Sequence, residues 1–358
     1  MFSLEAIKAK HGDCLLLHWG TAKAPHVALI DGGPNTVYAD FLKPRLEGLA
    51  ASRKVSKVRL DLTMVSHIDD DHINGLLDLA EEIEQNAAPA EIGLLWHNSL
   101  EGLLDADIPE GGGASVTASV ASTFPSMATG DEWDRKVLAS VPQGQELHAF
   151  AVRVGIADRL NAPFAKVGKS KMRLVMSGQE PAEIEGLVLT VVGPAAKEVE
   201  AVRRKWVELR KEGIMAAFND RSPYNLSSIV VLAEFGKKRM LLTGDARGDL
   251  ILRGLDEAGR LDDGAIHVDL LKLPHHGSQN NTTKEFFEAV TADSYVVSGD
   301  NVKFPNPHKK AMGWLAEARG DDDYRVYCTY DLDYLHDIFG DRLVVPKKGE
   351  TSVEAKLS

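Results

Sequence analysis

Ser66-His67-Ile68-Asp69-Asp70-Asp71-His72-Ile73-Asn74-Gly75 decides the reading of this chain. An apolar run, Leu60–Val65, precedes it and reads as a strand. After it, Ile73, Leu76, Leu77, Ala80 and Ile83 fall on one helical stripe. The acidic and histidine side chains therefore sit where a strand becomes a helix. Residues i and i+2 of an extended segment face the same way, so His67 and Asp69 can point at one metal ion. Asp71 and His72 stand where the chain turns into the helix and can point at a second position nearby. Asp70 is left to face solvent or support the turn. The helix start adds free N–H groups and a positive dipole end, which suit an anionic oxygen. Asp and neutral His are ordinary ligands of divalent metals. Taken alone, the run would also suit a polar helix cap.

It does not stand alone. Leu29-Ile30-Asp31-Gly32-Gly33 is an apolar strand ending in a carboxylate and a glycine turn. Met240-Leu241-Leu242-Thr243-Gly244-Asp245 repeats that design. Leu271-Lys272-Leu273-Pro274-His275-His276-Gly277-Ser278 ends a strand in two histidines, which packing does not explain. Phe304-Pro305-Asn306-Pro307-His308 puts a histidine at a helix start. His97 follows the apolar Leu94-Leu95-Trp96, and His11 stands at the Gly12-Asp13 turn. The other histidines have no such context. Each candidate ligand lies at a strand end or a helix start, and the joint pattern predicts a metal site.

Composition sets bounds. The chain has 358 residues and a formal net charge of −12. That is ample for one large domain with an insertion. The charge argues against a protein that coats nucleic acid by charge alone. It leaves room for an enzyme acting on nucleic acid, since two divalent ions add about four local positive charges. Cys14 and Cys328 lie in apolar runs and read as buried thiols, not as a disulfide framework. The N-terminus has no signal-peptide pattern, and no apolar run approaches the roughly 20 residues of a membrane span. The expectation is a cytoplasmic protein with no membrane association.

Strands are predicted at about residues 3–9, 14–19, 26–30, 60–65 and 92–96. A second set falls at 187–192, 228–234, 239–242, 268–273, 294–297, 324–328 and 342–345. Helices are predicted near 36–51, 197–211, 247–257, 284–290 and 308–318. Residues 98–185 differ. Gly111–Gly113 reads as a loop, Asp131–Ser140 as a helix, and Lys166, Lys169, Lys171 and Arg173 make a basic run. A second basic run is Arg203-Arg204-Lys205 with Arg210 and Lys211. Either run is a solvated face or a contact for an anionic substrate. The whole of 1–358 is read as a single domain, with 98–185 inserted into it.

The ordered set of Asp, His-x-Asp-x-Asp-His, Asp, His-His and His resembles the metallo-β-lactamase superfamily. It is most similar to the metallohydrolase domain of the bacterial DNA-uptake protein ComEC and its free-standing relatives. Asp69 stands where the superfamily usually has its second His, a replacement typical of that branch. Lys10-His11-Gly12-Asp13-Cys14-Leu15, Asn225–Val230, His275–Ser278, Pro307-His308 and Val326–Thr329 also fit it. The resemblance covers roughly 1–97 and 185–348. It implies a four-layered αββα sandwich with the metals at one edge. It implies two divalent ions, Mn2+ or Zn2+. His67 and Asp69 would serve one, and Asp71 and His72 the other, with Asp245 between them. One of His275 and His276 would complete the second position, His275 being preferred and His276 kept as a substrate contact or a support behind the ligands. Asp31 would support the ligands, and His97 is the candidate to complete the first position.

Two such metals can hold a bridging hydroxide and clamp the oxygens of a displaced group. Asp69 in place of imidazole makes the first position harder, which favours manganese. The expected activity is phosphodiester hydrolysis, a nuclease acting on DNA or RNA, with Asp71 and His308 in catalytic roles. His308 would bind phosphate or protonate the leaving oxygen. The alternatives are hydrolysis of a small phosphodiester, lactone or thioester, and a regulatory or binding module. A protein partner could control the site through the insertion.

Overall fold

In β2 (Cys14–Gly20) successive side chains enter different cores. Leu15 and Leu17 join one buried cluster, while Cys14 and Leu16 join another. The same alternation separates Met240 and Leu242 from Leu241 in β9 (Lys238–Leu242). Strands buried on both faces read as nearly continuous apolar runs, which is why the sequence showed them clearly. The computed structural model describes residues 1–99, 132–166, 172–199 and 228–357, with 132–142 as backbone only.

The remaining strands are β1 (Phe2–Ile7), β3 (Pro25–Gly32), β4 (Val58–Met64), β5 (Ala90–Trp96), β6 (Ala182–Ile184), β7 (Leu187–Gly193) and β8 (Val230–Phe235). They continue with β10 (Ile266–Lys272), β11 (Val290–Val297), β12 (Arg325–Cys328), β13 (Leu343–Val344) and β14 (Ser352–Lys356). A six-stranded sheet runs β14-β1-β2-β3-β4-β5, and an eight-stranded sheet runs β13-β12-β11-β10-β9-β8-β7-β6. In the first, β14 to β3 pair antiparallel, and β3, β4 and β5 pair parallel. In the second, β6 to β9 pair antiparallel and β9 to β13 parallel.

Leu4, Leu17, Ile30 and Met64 of the first sheet share a core with Leu189, Val231, Met240 and Leu270 of the second. The sheets therefore pack face to face. On the outer face of the first sheet lie α1 (Lys43–Arg53), α2 (Asp70–Glu84) and α3 (Glu132–Arg153), burying Leu46, Leu76 and Phe150 against it. Outside the second lie α4 (Gly248–Glu257), α5 (Lys284–Ala289), α6 (Lys309–Arg319) and α7 (Asp333–Phe339), with Ile251, Phe286, Met312 and Leu335 buried. The architecture is the expected αββα sandwich.

The region between 98 and 185 contributes α3, whose C-terminal half packs in the first helical layer, and β6, which edges the second sheet. Gly111–Gly113, Lys169, Lys171, all but the first three residues of the helix expected near 197–211, the basic run from Arg203 to Lys211, and Asn225–Ser227 lie outside the described residues. Among the described residues no helix is long and apolar enough to cross a membrane. Cys14 and Cys328 are both fully buried, and burial pushes the thiol of Cys328 up to about 12. Both behave as small hydrophobes, as expected.

Candidate metal centre

Three strand ends meet at one edge of the sandwich. β4 leads through Ser66–Asp69 into α2, β9 leads to Asp245, and β10 leads to His275 and His276. Two glycines let these segments approach. A Cβ on Gly12 would lie 2.0 Å from the Asp71 carbonyl oxygen, and one on Gly75 would lie 2.0 Å from that of Gly32. Any side chain there would push the start of α2 off the sheet edge.

Asp245 is the hub. Its Oδ2 lies 3.6 Å from His67 Nε2 and 3.4 Å from His275 Nε2. Its Oδ1 lies 3.5 Å from His72 Nε2 and 3.7 Å from His276 Nε2. His67 Nε2 is 3.7 Å from Asp69 Oδ2, and His276 Nε2 is 3.8 Å from Asp71 Oδ2. The two carboxylate oxygens thus face two separate groups. His67, Asp69 and His275 surround one, and Asp71, His72 and His276 surround the other.

These spacings are too long for good hydrogen bonds. They suit a shared cation. Two ligands held about 2.1 Å from one ion at a tetrahedral angle lie roughly 3.4 Å apart. The same atoms lack protein partners. His67 Nε2, His72 Nε2, His276 Nε2, Asp69 Oδ1 and Asp245 Oδ1 are buried without a hydrogen bond. Each would cost about 1–3 kcal/mol if nothing compensated it. Donor type, spacing and unmet bonding all fit divalent metal. Asp13, His72, Asp245 and His276 also offer ligand atoms that lie within 4.8 Å of one another.

The electrostatics tie the same groups to one another. Burial alone would raise the pKa of Asp245, but His275, His72, His276 and His67 hold it well below the usual carboxylate range. Burial alone would lower His72, but Asp245 and Asp31 raise it well above its ordinary value. Burial likewise opposes ionisation of Asp71, yet His72 and His276 bring its pKa below the ordinary value. The carboxylates are kept ionised, as metal ligands must be.

Asp69 occupies the N-cap of α2, yet its side chain makes no capping bond. An Asp there ordinarily accepts from the first turn. Its carboxylate turns toward His67 instead, so capping does not explain the acidic run. Asp31 supports the centre from behind. It accepts hydrogen bonds from the Ser66 amide and hydroxyl, both at 2.7 Å, and its Oδ2 lies 2.8 Å from His72 Nδ1. That contact aims His72 Nε2 at Asp245.

The two histidines differ from the sequence preference. His275 lies on the His67 side of Asp245, and His276 lies beside Asp71. The cause is a left-handed turn. His275, His276 and Gly277 have φ of 46°, 54° and 74°. Such a conformation costs roughly 1–2 kcal/mol per non-glycine residue. It sends adjacent side chains to opposite oxygens of Asp245. None of these contacts involves His97. Its ring lies against Gly144, and burial together with His148 lowers its pKa to about 4. His308 caps α6, its Nδ1 accepting from the Lys310 amide at 3.2 Å. This leaves Nε2 of the neutral ring as a donor. It lines an open cleft of ≈ 240 Å³ above the cluster, with His11, Asp71, Asn280, Lys303 and Phe304.

Sequence reasoning passed over three contributors. Asp13 and Lys272, both buried, pair at 2.8 Å across 259 residues of sequence. Ser298 donates to Asp13, and its Oγ lies 3.0 Å from His276 Nδ1. Burial alone would raise the pKa of Asp13, but Lys272 and His276 hold it far below the usual range. This network fixes the His276 ring. Two signals were visible, Asp13 within the Lys10–Leu15 motif and a lysine directly before Leu273-Pro274-His275-His276, but not their pairing.

The sandwich has the αββα layering expected from the sequence, with the cluster at one edge. No family model matches the chain. A segment covering 27% of it is 32% identical over 97 residues to ComE operon protein 3 of Bacillus subtilis (strain 168). The match spans 12% of that protein. Among solved structures, a diphosphatase of the PhnP family is similar with a TM-score of 0.39 and 10% identity, over 97% of this chain and 85% of that one. The metallo-β-lactamase fold protein YhfI of Bacillus subtilis gives 0.39 and 10%, over 99% and 100%. Zn2+-bound PqqB of Methylobacterium extorquens gives 0.37 and 13%, over 96% and 87%.

Proposed function

We propose that the chain is a metal-dependent hydrolase acting on phosphodiesters, with nucleic acid as the substrate class. The observation that carries this is the set of ligand spacings around Asp245, all between 3.4 Å and 3.8 Å, on atoms with few protein partners. His67, Asp69 and His275 would hold one divalent ion, and Asp71, His72 and His276 a second, with one oxygen of Asp245 toward each. When bound, a pair of Mn2+ or Zn2+ ions supplies Lewis acidity to a phosphoryl oxygen and lowers the proton affinity of water.

The protein's own groups do the rest. Asp31 and the Asp13–Ser298 pair keep His72 and His276 in fixed orientations. Asp71, at the cleft floor, accepts a proton from the attacking water. His308 Nε2–H stands in the cleft wall as a donor to the leaving oxygen. An anionic diester gains most from such a site, because its transition state spreads charge over several oxygens. The resemblance to the ComEC branch and the partial match to ComE operon protein 3 support the same reading.

The test is metal analysis of purified protein together with hydrolysis of bis(p-nitrophenyl) phosphate in manganese or zinc. Two ions per chain and diester cleavage are expected. Two bound ions with no diester cleaved would overturn the reading. Cleavage that survives Asp71→Ala would overturn the residue assignment.

A further inference from the structure

One side of the cleft continues into a line of cations and aromatic rings that the metal cluster does not use. Lys303 Nζ lies 3.3 Å from His11 Nε2 and 5.4 Å from the centre of the Phe304 ring. His11 meets the Phe304 ring edge-on, with centroids 5.5 Å apart. All three residues line the cleft. From His11 the chain runs back to Lys10, whose amide donates to the Tyr330 hydroxyl at 2.8 Å. Lys8 Nζ sits 5.9 Å from the centre of the Tyr330 ring. Side-chain contacts join Phe304, Lys303 and His11 at the cleft, and the backbone from His11 to Lys10 leads on to Tyr330 and Lys8.

Charge makes the path notable. The chain carries a net charge of −12, and the cleft floor holds Asp69, Asp70, Asp71 and Asp245. Among the described residues, none of the ammonium groups of Lys8, Lys10 and Lys303 forms an ion pair with a carboxylate. Lys10 Nζ bonds only neutral oxygens, those of Asn35 and Thr36. Phe304 and Tyr330 are half-buried, and each carries a cation near its ring. Asp300 is the acidic neighbour, close enough to act on both His11 and Tyr330.

We infer that this path binds single-stranded nucleic acid over several nucleotides on one side of the scissile phosphate. Lys303, Lys10 and Lys8 would meet successive phosphates, while Phe304 and Tyr330 offer rings to unpaired bases. Alternating cations and aromatic rings fit a flexible polynucleotide with exposed bases. A small diester would reach only the cleft end of the path. A duplex keeps its bases stacked and cannot use the rings. The inference rests on the proposed phosphodiesterase reading and names the substrate within it.

The experiment compares oligonucleotides of three and twelve nucleotides, as DNA and as RNA of the same sequence, with bis(p-nitrophenyl) phosphate. It uses the metal-loaded wild type and the double variant Lys8→Gln/Tyr330→Leu. Binding is read separately, by anisotropy of a labelled phosphorothioate twelve-mer. The twelve-mer is expected to be cleaved with a kcat/KM at least about tenfold above the three-mer. Base–aromatic stacking is worth about 1–3 kcal/mol per base, so the variant should bind the twelve-mer roughly 5–100-fold more weakly. The slope of log affinity against log salt should fall by about 0.7 for the lost phosphate contact. The ratio of twelve-mer to small-diester kcat/KM should fall in parallel.

Equal handling of three-mer and twelve-mer, unchanged binding by the variant, or a preference for duplex would each overturn the inference. Cleavage of the small diester in that case leaves the phosphodiesterase reading intact. Failure to cleave any diester overturns that reading instead. A single-strand preference shared by DNA and RNA supports recognition of phosphates and bases alone. A preference for one sugar supports the path with an added contact to the 2′ position.

Discussion

Two buried polar clusters in this molecule have similar ingredients and opposite bookkeeping. Between the first sheet and α1, Glu5 accepts from Arg45 Nε at 2.7 Å, Arg45 Nη2 at 2.9 Å and Ser352 Oγ at 2.7 Å, and His18 Nε2 lies 3.0 Å away. Both its oxygens are satisfied within the protein. Around Asp245 the carboxylates and imidazoles stand 3.4–3.8 Å apart, with several nitrogens and oxygens unmet. A closed network needs nothing more and serves stability. An open one of the same residue types is arranged for something that arrives from outside. Residue type alone does not separate the two; spacing does.

The sharpest way to break this contrast is to remove the hub. Asp245→Ala should lower diester hydrolysis on the order of 10²–10³-fold. Elemental analysis should find less than one metal ion per chain, while the urea midpoint in EDTA should not fall. Full metal content in this variant would end the comparison. Breaking the closed cluster should do the reverse. Arg45→Met leaves Glu5 charged and short of a cation, and should cost about 3 kcal/mol in urea unfolding at pH 7. Both metal ions should remain bound; a loss of metal without a loss of stability would contradict the assignment.

The closed cluster also predicts a pH signature. Burial alone would raise Glu5, but His18, Arg45 and Ser352 lower its pKa from 4.5 to about 2. A folded-state value below the unfolded one stabilises above pH 4.5, and that stability is lost as pH falls toward 2. The contribution is about 3 kcal/mol and should be absent in Glu5→Gln. Smaller effects lie behind the ligands. Asp31→Asn should weaken metal binding about 10–100-fold in competition with a chelating dye. An unchanged affinity would mean that His72 needs no support. Smallest of all, His308→Ala should lose its helix cap and about 1 kcal/mol of stability, which His308→Asn should restore.

Much of the fold was legible because strands between two cores have no polar face to hide them. β10 and β9 ran close to the expected spans, and α2 announced itself by its stripe. The strand β14 was not visible. Its Ser-Val-Glu-Ala-Lys alternation exposes Lys356 and buries Val353 and Ala355, as an edge strand can, and it carries no apolar run. The helix α7 was also passed over, being one of the shortest. In the site, the identity of the ligand types could be read because each ends a strand. Which histidine serves which position could not, since it depends on a left-handed turn at residues that do not ordinarily take one. The pairing of Asp13 with Lys272 was hidden for a simpler reason: 259 residues separate them.

The hub position of Asp245 has a consequence for the life of the chain. The His-Asp run at 67–72 comes from the first sheet, while Asp245, His275 and His276 come from the second. During synthesis the first half emerges with its histidines and carboxylates but without the Asp245 carboxylate they face. The second half then brings Asp245, but the two sets meet only when the sheets close on each other. A nascent or half-folded chain therefore holds only part of the ligand set, and the complete cluster appears together with the finished shape.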